Sequence, residues 1–148
     1  SNPTMLLFYN CAYEKICSIN IKSDLAWDTA HPAGDSLNDL FTIDLLKLPL
    51  ADMVLSNPPY IPTKEIEELQ KEVLSEPISA LDGGNDGLNF YRCLADKWTS
   101  KVKKSGFMAL ECGDNQSADV VEIFHGKYAE NNVIFDFNNI DRIVTFRI

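Results

Sequence analysis

After residue 40 the apolar positions fall into short unbroken runs alternating with three-to-four-residue spacings. Residues 51–55 (Ala-Asp-Met-Val-Leu) end at Ser-Asn-Pro-Pro and read as a buried strand stopping at a turn. A helix is expected to open at Pro62-Thr63, with Thr63 as its N-cap. Glu65, Glu67 and Glu68 suit the positive end of its dipole, and Ile66, Leu69 and Val73 form its stripe. Residues 75–89, with Pro77, Gly83, Gly84 and Gly87, predict a loop. Leu88, Tyr91, Leu94, Trp98 and Val102 predict a second helix, with Lys101, Lys103 and Lys104 at its C-terminal end and Ser105-Gly106 as its stop. Residues 107–112 are another buried run, turned by Gly113-Asp114. Ala118, Val121, Phe124 and Tyr128 mark a third helix. Two closing strands, near residues 133–137 and 143–148, are joined by Asn138-Asn139.

The front is less regular. Residues 5–10 are apolar enough for a strand, and residues 15–21 predict another. A helix over 23–30, carried by Leu25, Ala26 and Ala30, and a strand over 39–44 closing at Asp44 complete the reading. Strands alternating with helices mean an open α/β sheet with helices packed on it. The last two strands leave no room for a helix between them, so they should pair as an antiparallel hairpin. The expectation is one domain over residues 1–148, with a mostly parallel sheet ending in that hairpin. No repeat, low-complexity segment or linker divides it.

Composition narrows the partners more than the fold. The 148 residues are 45% hydrophobic and 24% charged, as in an ordinary globular domain. Thirteen basic against 22 acidic residues give 13 − 22 = −9, which argues against gripping a nucleic-acid backbone and leaves room for a basic protein partner. No apolar run approaches the roughly 18–20 residues of a membrane span. Ser1-Asn2 reads as a remnant of cloning, and no charged-then-apolar leader is expected. The four cysteines (Cys11, Cys17, Cys93, Cys112) form no CxxC pair, and Cys112 should be a buried free thiol. A reducing, cytoplasmic setting follows. His31 and His125 read as surface residues, so no metal site is expected.

The chemistry concentrates at Asn57-Pro58-Pro59-Tyr60. Ligands of open α/β sheets bind beyond the carboxyl ends of strands, where this tetrapeptide would lie. Each proline restricts the residue before it, so the segment is rigid. Neither proline donates, which leaves two fixed acceptors: the Asn57 side-chain oxygen and the Pro58 carbonyl. Two such acceptors suit a planar NH2 group, and Tyr60 could stack on its plane. The lone pair is then free for an electrophile such as a methyl sulfonium. A bare Pro-Pro after a strand would be no more than a capping turn.

The segment Leu55-Ser56-Asn57-Pro58-Pro59-Tyr60-Ile61-Pro62 resembles the catalytic motif of amino-methylating S-adenosylmethionine (SAM) enzymes, a group that includes adenine-N6 and cytosine-N4 DNA methyltransferases. Glu76-Pro77, Ala80-Leu81-Asp82-Gly83-Gly84, Asp86-Gly87-Leu88 and Tyr91-Arg92 narrow the likeness to the protein-(glutamine-N5) methyltransferases of the HemK/PrmC family. Leu110-Glu111-Cys112-Gly113 with Gln116, and Asp141-Arg142-Ile143-Val144, carry it further, so that it spans residue 41 to 148. The resemblance implies a Rossmann-like class I SAM-methyltransferase sheet and methylation of the glutamine in a Gly-Gly-Gln loop of peptide chain release factors. By position it implies that Asn57 and the Pro58 carbonyl hold the glutamine amide, with Pro59 and Tyr60 completing the catalytic motif. Asp44 would meet the adenine amino group, and Asn57 borders the cofactor as well. Glu76, Pro77, Gly83 and Gly84 would help form the substrate mouth.

The family's glycine-rich turn after its first strand has no counterpart here. The chain has no glycine before Gly34, and Cys11-Ala12-Tyr13-Glu14 follows residues 5–10. Residues 16–30 resemble the family's second strand and helix, with Asn20 at the position of the acid that holds the ribose. Residues 1–40 are therefore expected to be a diverged or incomplete cofactor-binding half, and 41–148 the catalytic half. Two other readings stand beside methyl transfer to a release factor: a weakened, methyltransferase-like binding module, and a DNA amino-methyltransferase.

Overall fold

The computed structural model describes residues 5–9, 15–20, 46, 48, 50–68 and 78–148. Six strands form one sheet: β1 (Met5–Tyr9), β2 (Lys15–Asn20), β3 (Ala51–Ser56), β4 (Val102–Glu111), β5 (Glu130–Phe135) and β6 (Asp141–Arg147), in the order β2-β1-β3-β4-β6-β5. Two helices, α1 (Asn89–Lys97) and α2 (Ser117–Ile123), complete an α/β unit. The closing hairpin of β5 and β6 is antiparallel, as the chain's lack of room for a crossover requires.

The sheet as a whole differs from the mostly parallel expectation. Among the described strands only β3 and β4 pair in parallel, while β1 runs antiparallel to both β2 and β3. Five residues separate Tyr9 from Lys15, far short of the dozen or so a parallel crossover needs, so β1 and β2 can only fold back as a hairpin. The helix expected over 23–30 and the strand expected over 39–44 lie outside the described residues, as does His31.

One face of the sheet carries the core. Val54, Met108 and Phe146 share one row across β3, β4 and β6, and Leu110 with Val144 share the next. All five are fully buried, as are Tyr91 and Leu94 of α1 and Trp98 just after it. Phe124 stacks on Phe146 with ring centroids 4.3 Å apart, which seats α2 on β6. Each such large side chain contributes about 1.5–3 kcal/mol of burial. Cys112 is a buried free thiol and His125 is exposed, as the sequence suggests, and Cys93 is a buried free thiol as well. No helix among the described residues is long and apolar enough to cross a membrane.

Three boundaries move. The second helix ends at Lys97, tightens into a 3-10 turn over Trp98–Lys101, and passes straight into β4. Lys103 and Lys104 therefore lie on a strand, and Ser105-Gly106, expected as a helix stop, sits within it. Ser105 takes φ 65°, and the pairing with β3 slips between Ala51 and Met53, so these two residues mark an irregularity in the strand. A Cβ on Gly106 would lie 2.6 Å from Val102 Cγ1, which explains the glycine. The third helix stops at Ile123, and Tyr128 packs beyond it against Phe146. The segment at Thr63–Glu68 is 3-10 rather than α-helical, and Leu69 and Val73 lie outside the described residues.

Candidate active site

Strands β3 and β4 end side by side, with Ser56 opposite Leu110. The chain leaves β3 through Asn57, which is exposed, then Pro58 and Pro59, which are buried, and Tyr60, which is half-buried. The two prolines are thus anchors, and the carboxamide of Asn57 stands in solvent at the edge of the sheet. Ser56 is 6% exposed, and its Oγ makes no hydrogen bond. Buried hydroxyls are ordinarily paired, so the foot of the tetrapeptide keeps polar capacity that the fold itself does not consume.

Beyond Tyr60 the chain is stitched to the glycine loop. Ile61 forms a parallel bridge with Asp82: Ile61 N donates to the Leu81 carbonyl at 3.0 Å, and Gly83 N donates to the Ile61 carbonyl at 2.9 Å. Thr63 N donates to the Gly84 carbonyl at 2.9 Å, and the Thr63 hydroxyl donates to Asp82 Oδ1 at 2.7 Å. Thr63 is therefore spent on the loop instead of capping a helix. Gly83 and Gly84 lie against the exit of the tetrapeptide. Glu76 and Pro77 lie outside the described residues.

A second set of contacts holds Tyr60 from the other side. Gln116 Nε2 donates to the Tyr60 carbonyl at 2.9 Å, while Gln116 Oε1 accepts from Gly113 N at 3.0 Å. Gly87, at φ +77°, packs against the same carbonyl: a Cβ there would lie 2.3 Å from Tyr60 O and 2.7 Å from Gln116 Nε2. The turn bearing Gln116 is fixed by Asp141, whose carboxylate accepts from Asn115 N and Ser117 N, both at 3.0 Å. None of these partners is near the tetrapeptide in sequence. The Gly113-x-x-Gln116 spacing was the one visible signal, and it carried no hint that residue 116 reaches residue 60.

The ionisable groups nearby have distinct environments. Tyr91 donates its hydroxyl to the Glu111 carbonyl at 2.7 Å, and burial drives its ionisation far upward, so it stays a phenol. Burial also raises the Glu111 carboxyl, against the pull of Arg142. Burial pushes Cys112 up to about 11, which makes it an inert thiol. Asp86 is lowered to about 2 by its paired hydrogen bonds with Arg92. Asp141 is lowered chiefly by the Ser117 hydroxyl, with the two backbone N–H groups adding to it.

The Asp141 shift has a consequence for acid stability. A carboxyl depressed in the folded state contributes stability above its unfolded value, and that stability is lost as pH falls through the folded value. Urea midpoints should therefore hold from neutrality to about pH 4 and drop below it. Asp141→Asn should cost about 1–2 kcal/mol at pH 7 and flatten that acid limb. An unchanged limb in the variant would show that Asp141 is not its source.

The cofactor positions predicted from sequence are partly brought together. Met5 pairs with Asn20 and Leu6 with Ser56, so Asn20 ends β2 at the same edge where β3 ends at Ser56. Two strand spacings, about 10 Å, separate them. The single antiparallel strand between them leaves β2 and β3 pointing the same way. Asp44 lies outside the described residues.

An α/β sheet that hangs Asn-Pro-Pro-Tyr from a strand end, with a glycine loop bonded to its exit, is consistent with a methyltransferase-like domain. No family model matches the chain. It is 40% identical over 93 residues to the release factor glutamine methyltransferase of Aquifex aeolicus, covering 63% of this chain and 33% of that protein. The protein of the same name from Caulobacter vibrioides is 45% identical over 95 residues, covering 63% and 33%. That of Clostridium acetobutylicum is 38% identical over 141 residues, covering 88% and 50%. Over up to 88% of its length the chain is thus similar to release factor glutamine methyltransferases, a likeness that supports the HemK/PrmC family. It spans a third to a half of the length of these curated relatives.

Proposed function

We propose that this chain carries the catalytic half of a SAM-dependent methyltransferase that modifies the glutamine N5 of a peptide chain release factor, within its Gly-Gly-Gln loop. The observation that carries the reading is the arrangement at the end of β3: an exposed Asn57 carboxamide set on two buried prolines. Asn57 Oδ1 and the Pro58 carbonyl accept the two N–H bonds of the glutamine amide, which orients its nitrogen. Tyr60 stacks on the amide plane, and Pro59 keeps the turn rigid. Positioning of this kind supplies on the order of 7–11 kcal/mol in favourable cases.

The strand-end row suits a polar cofactor. Asn20 and Asn57 would hold SAM, with Asp44 at its adenine, and the unspent Ser56 hydroxyl is consistent with a ligand-facing edge. SAM supplies an electrophilic methyl group when bound. The sheet is read as the class I methyltransferase type, in a single domain with residues 1–40 as its cofactor half. Glu76, Pro77, Gly83 and Gly84 belong to the mouth that admits the substrate loop. The free buried thiols Cys93 and Cys112 support a reducing, cytoplasmic setting.

The test is transfer of labelled methyl from SAM to a release factor, compared with a factor whose Gly-Gly-Gln glutamine is replaced by alanine. Label on the first and not the second is expected. Label on duplex DNA and not on either factor would overturn the substrate in favour of DNA. No heat of binding at high micromolar SAM would favour the weakened binding module, which the lack of a glycine before Gly34 keeps in view.

A further inference from the structure

We propose that Gln116 is the positioning residue of the amide-holding tetrapeptide: its carboxamide fixes the Tyr60 carbonyl to the end of β4 and so sets where Asn57 and the Pro58 carbonyl stand. The proposal rests on the methyl-transfer reading and adds to it a residue remote in sequence from the motif.

The demand on residue 116 is specific. Tyr60 presents an acceptor and Gly113 a donor, 2.9 and 3.0 Å from the two ends of one planar group. Only a carboxamide offers a fixed donor and a fixed acceptor side by side at neutral pH. A leucine offers neither, and a carboxylate offers two acceptors, one of which would face the Tyr60 carbonyl. The surroundings are cut to the same group. A Cβ on Gly113 would lie 2.8 Å from Gln116 Oε1, and one on Gly87 would lie 2.7 Å from Nε2. Glycine at both places lets the amide close on the carbonyl.

The connection from Tyr60 back to Asn57 is stiff. Pro58 and Pro59 have ring-locked φ, so a shift of the Tyr60 carbonyl is passed along instead of being absorbed. Asp141 holds the other end of the device by binding the N–H groups on both sides of Gln116. The path therefore runs from β6 through the turn after β4 to the tetrapeptide, with a hydrogen bond or a ring at each joint. Displacing reacting atoms by about an ångström can cost on the order of 100-fold in rate.

The experiment compares the unsubstituted chain with Gln116→Leu and Gln116→Glu, using SAM and a release factor. Gln116→Leu should melt cooperatively, lose on the order of 100-fold in kcat, and keep its KM for SAM within about threefold. In Gln116→Glu a protonated carboxyl can again donate to Tyr60 and accept from Gly113. Its rate relative to the parent should rise as pH falls from 8 toward 5, nearing the ordinary glutamate value of about 4.3. A kcat for Gln116→Leu within about twofold of the parent, or a relative rate for Gln116→Glu that is flat with pH, overturns the proposal. Should Gln116→Leu fail to fold, the Gln116→Glu profile decides alone. Absence of turnover in the parent counts against the methyl-transfer reading. Hydrogen exchange at Gly113 N–H is the separate readout: it should accelerate in Gln116→Leu while β4 stays protected, and unchanged exchange overturns the clamp whether or not the chain turns over.

Discussion

Asn57→Ala is expected to cut methyl transfer on the order of 10²–10³-fold while leaving the fold intact. The side chain is exposed at the end of β3, so its removal deletes no packing and should change stability by no more than about 0.5 kcal/mol. What it deletes, on the proposed function, is one of two acceptors for the amide N–H pair. The Pro58 carbonyl alone fixes one N–H and leaves the planar carboxamide free to swing about that hydrogen bond. Losing one preorganised polar partner in a catalytic site costs on the order of 10²–10³ in turnover. Labelled methyl transfer to a release factor measures the rate, and a urea midpoint measures the fold. Turnover near that of the parent would show Asn-Pro-Pro-Tyr to be a strand-capping turn and nothing more.

The second large effect is expected at Gly87, and Gly126 supplies its control. Both take φ +77°, so alanine at either place bears the left-handed penalty of about 1–2 kcal/mol. A Cβ added at Gly126 would meet nothing within 4 Å beyond its chain neighbours, and Gly126→Ala should cost that much and leave transfer untouched. At Gly87 the new Cβ would meet the Tyr60 carbonyl at 2.3 Å and Gln116 Nε2 at 2.7 Å. Backbone must move, which adds about 1–3 kcal/mol of overpacking, and the part that moves is the motif itself. Gly87→Ala should therefore lose both stability and transfer, whereas Gly126→Ala loses a little stability only. Equal stability losses in the two variants would show that the loop absorbs the clash without disturbing Tyr60.

Legibility followed sequence distance. The strand at residue 51, the tetrapeptide after it and the closing hairpin rest on neighbouring residues; the first of them starts where the pattern puts it, and the hairpin strands start at Glu130 and Asp141, a little earlier than expected. The second helix ends before its expected stop: Ser105-Gly106 carries the signature of a helix stop and of a strand irregularity alike. Only the partners across β3 and at the C-terminus, including Ser105 N donating to the Ile148 carbonyl, separate the two readings. Thr63 is ambiguous for the same reason. Its hydroxyl has two uses, and Asp82, nineteen residues away, decides which one it serves.

The sequence by itself carried the resemblance to amino-methylating enzymes, because Asn-Pro-Pro-Tyr after an apolar run is a local pattern whose rigidity and acceptors follow from the residues. It also determined the α/β alternation and the antiparallel close, since connection length limits how neighbouring strands can pair. Tertiary structure decided what holds that pattern in place. Gln116 reaches Tyr60 across 56 residues, Asp141 reaches Ser117 across 24, and Asn20 shares a sheet edge with Ser56 through β1. Such contacts depend on which strands become neighbours, and periodicity along one chain specifies faces but not neighbours.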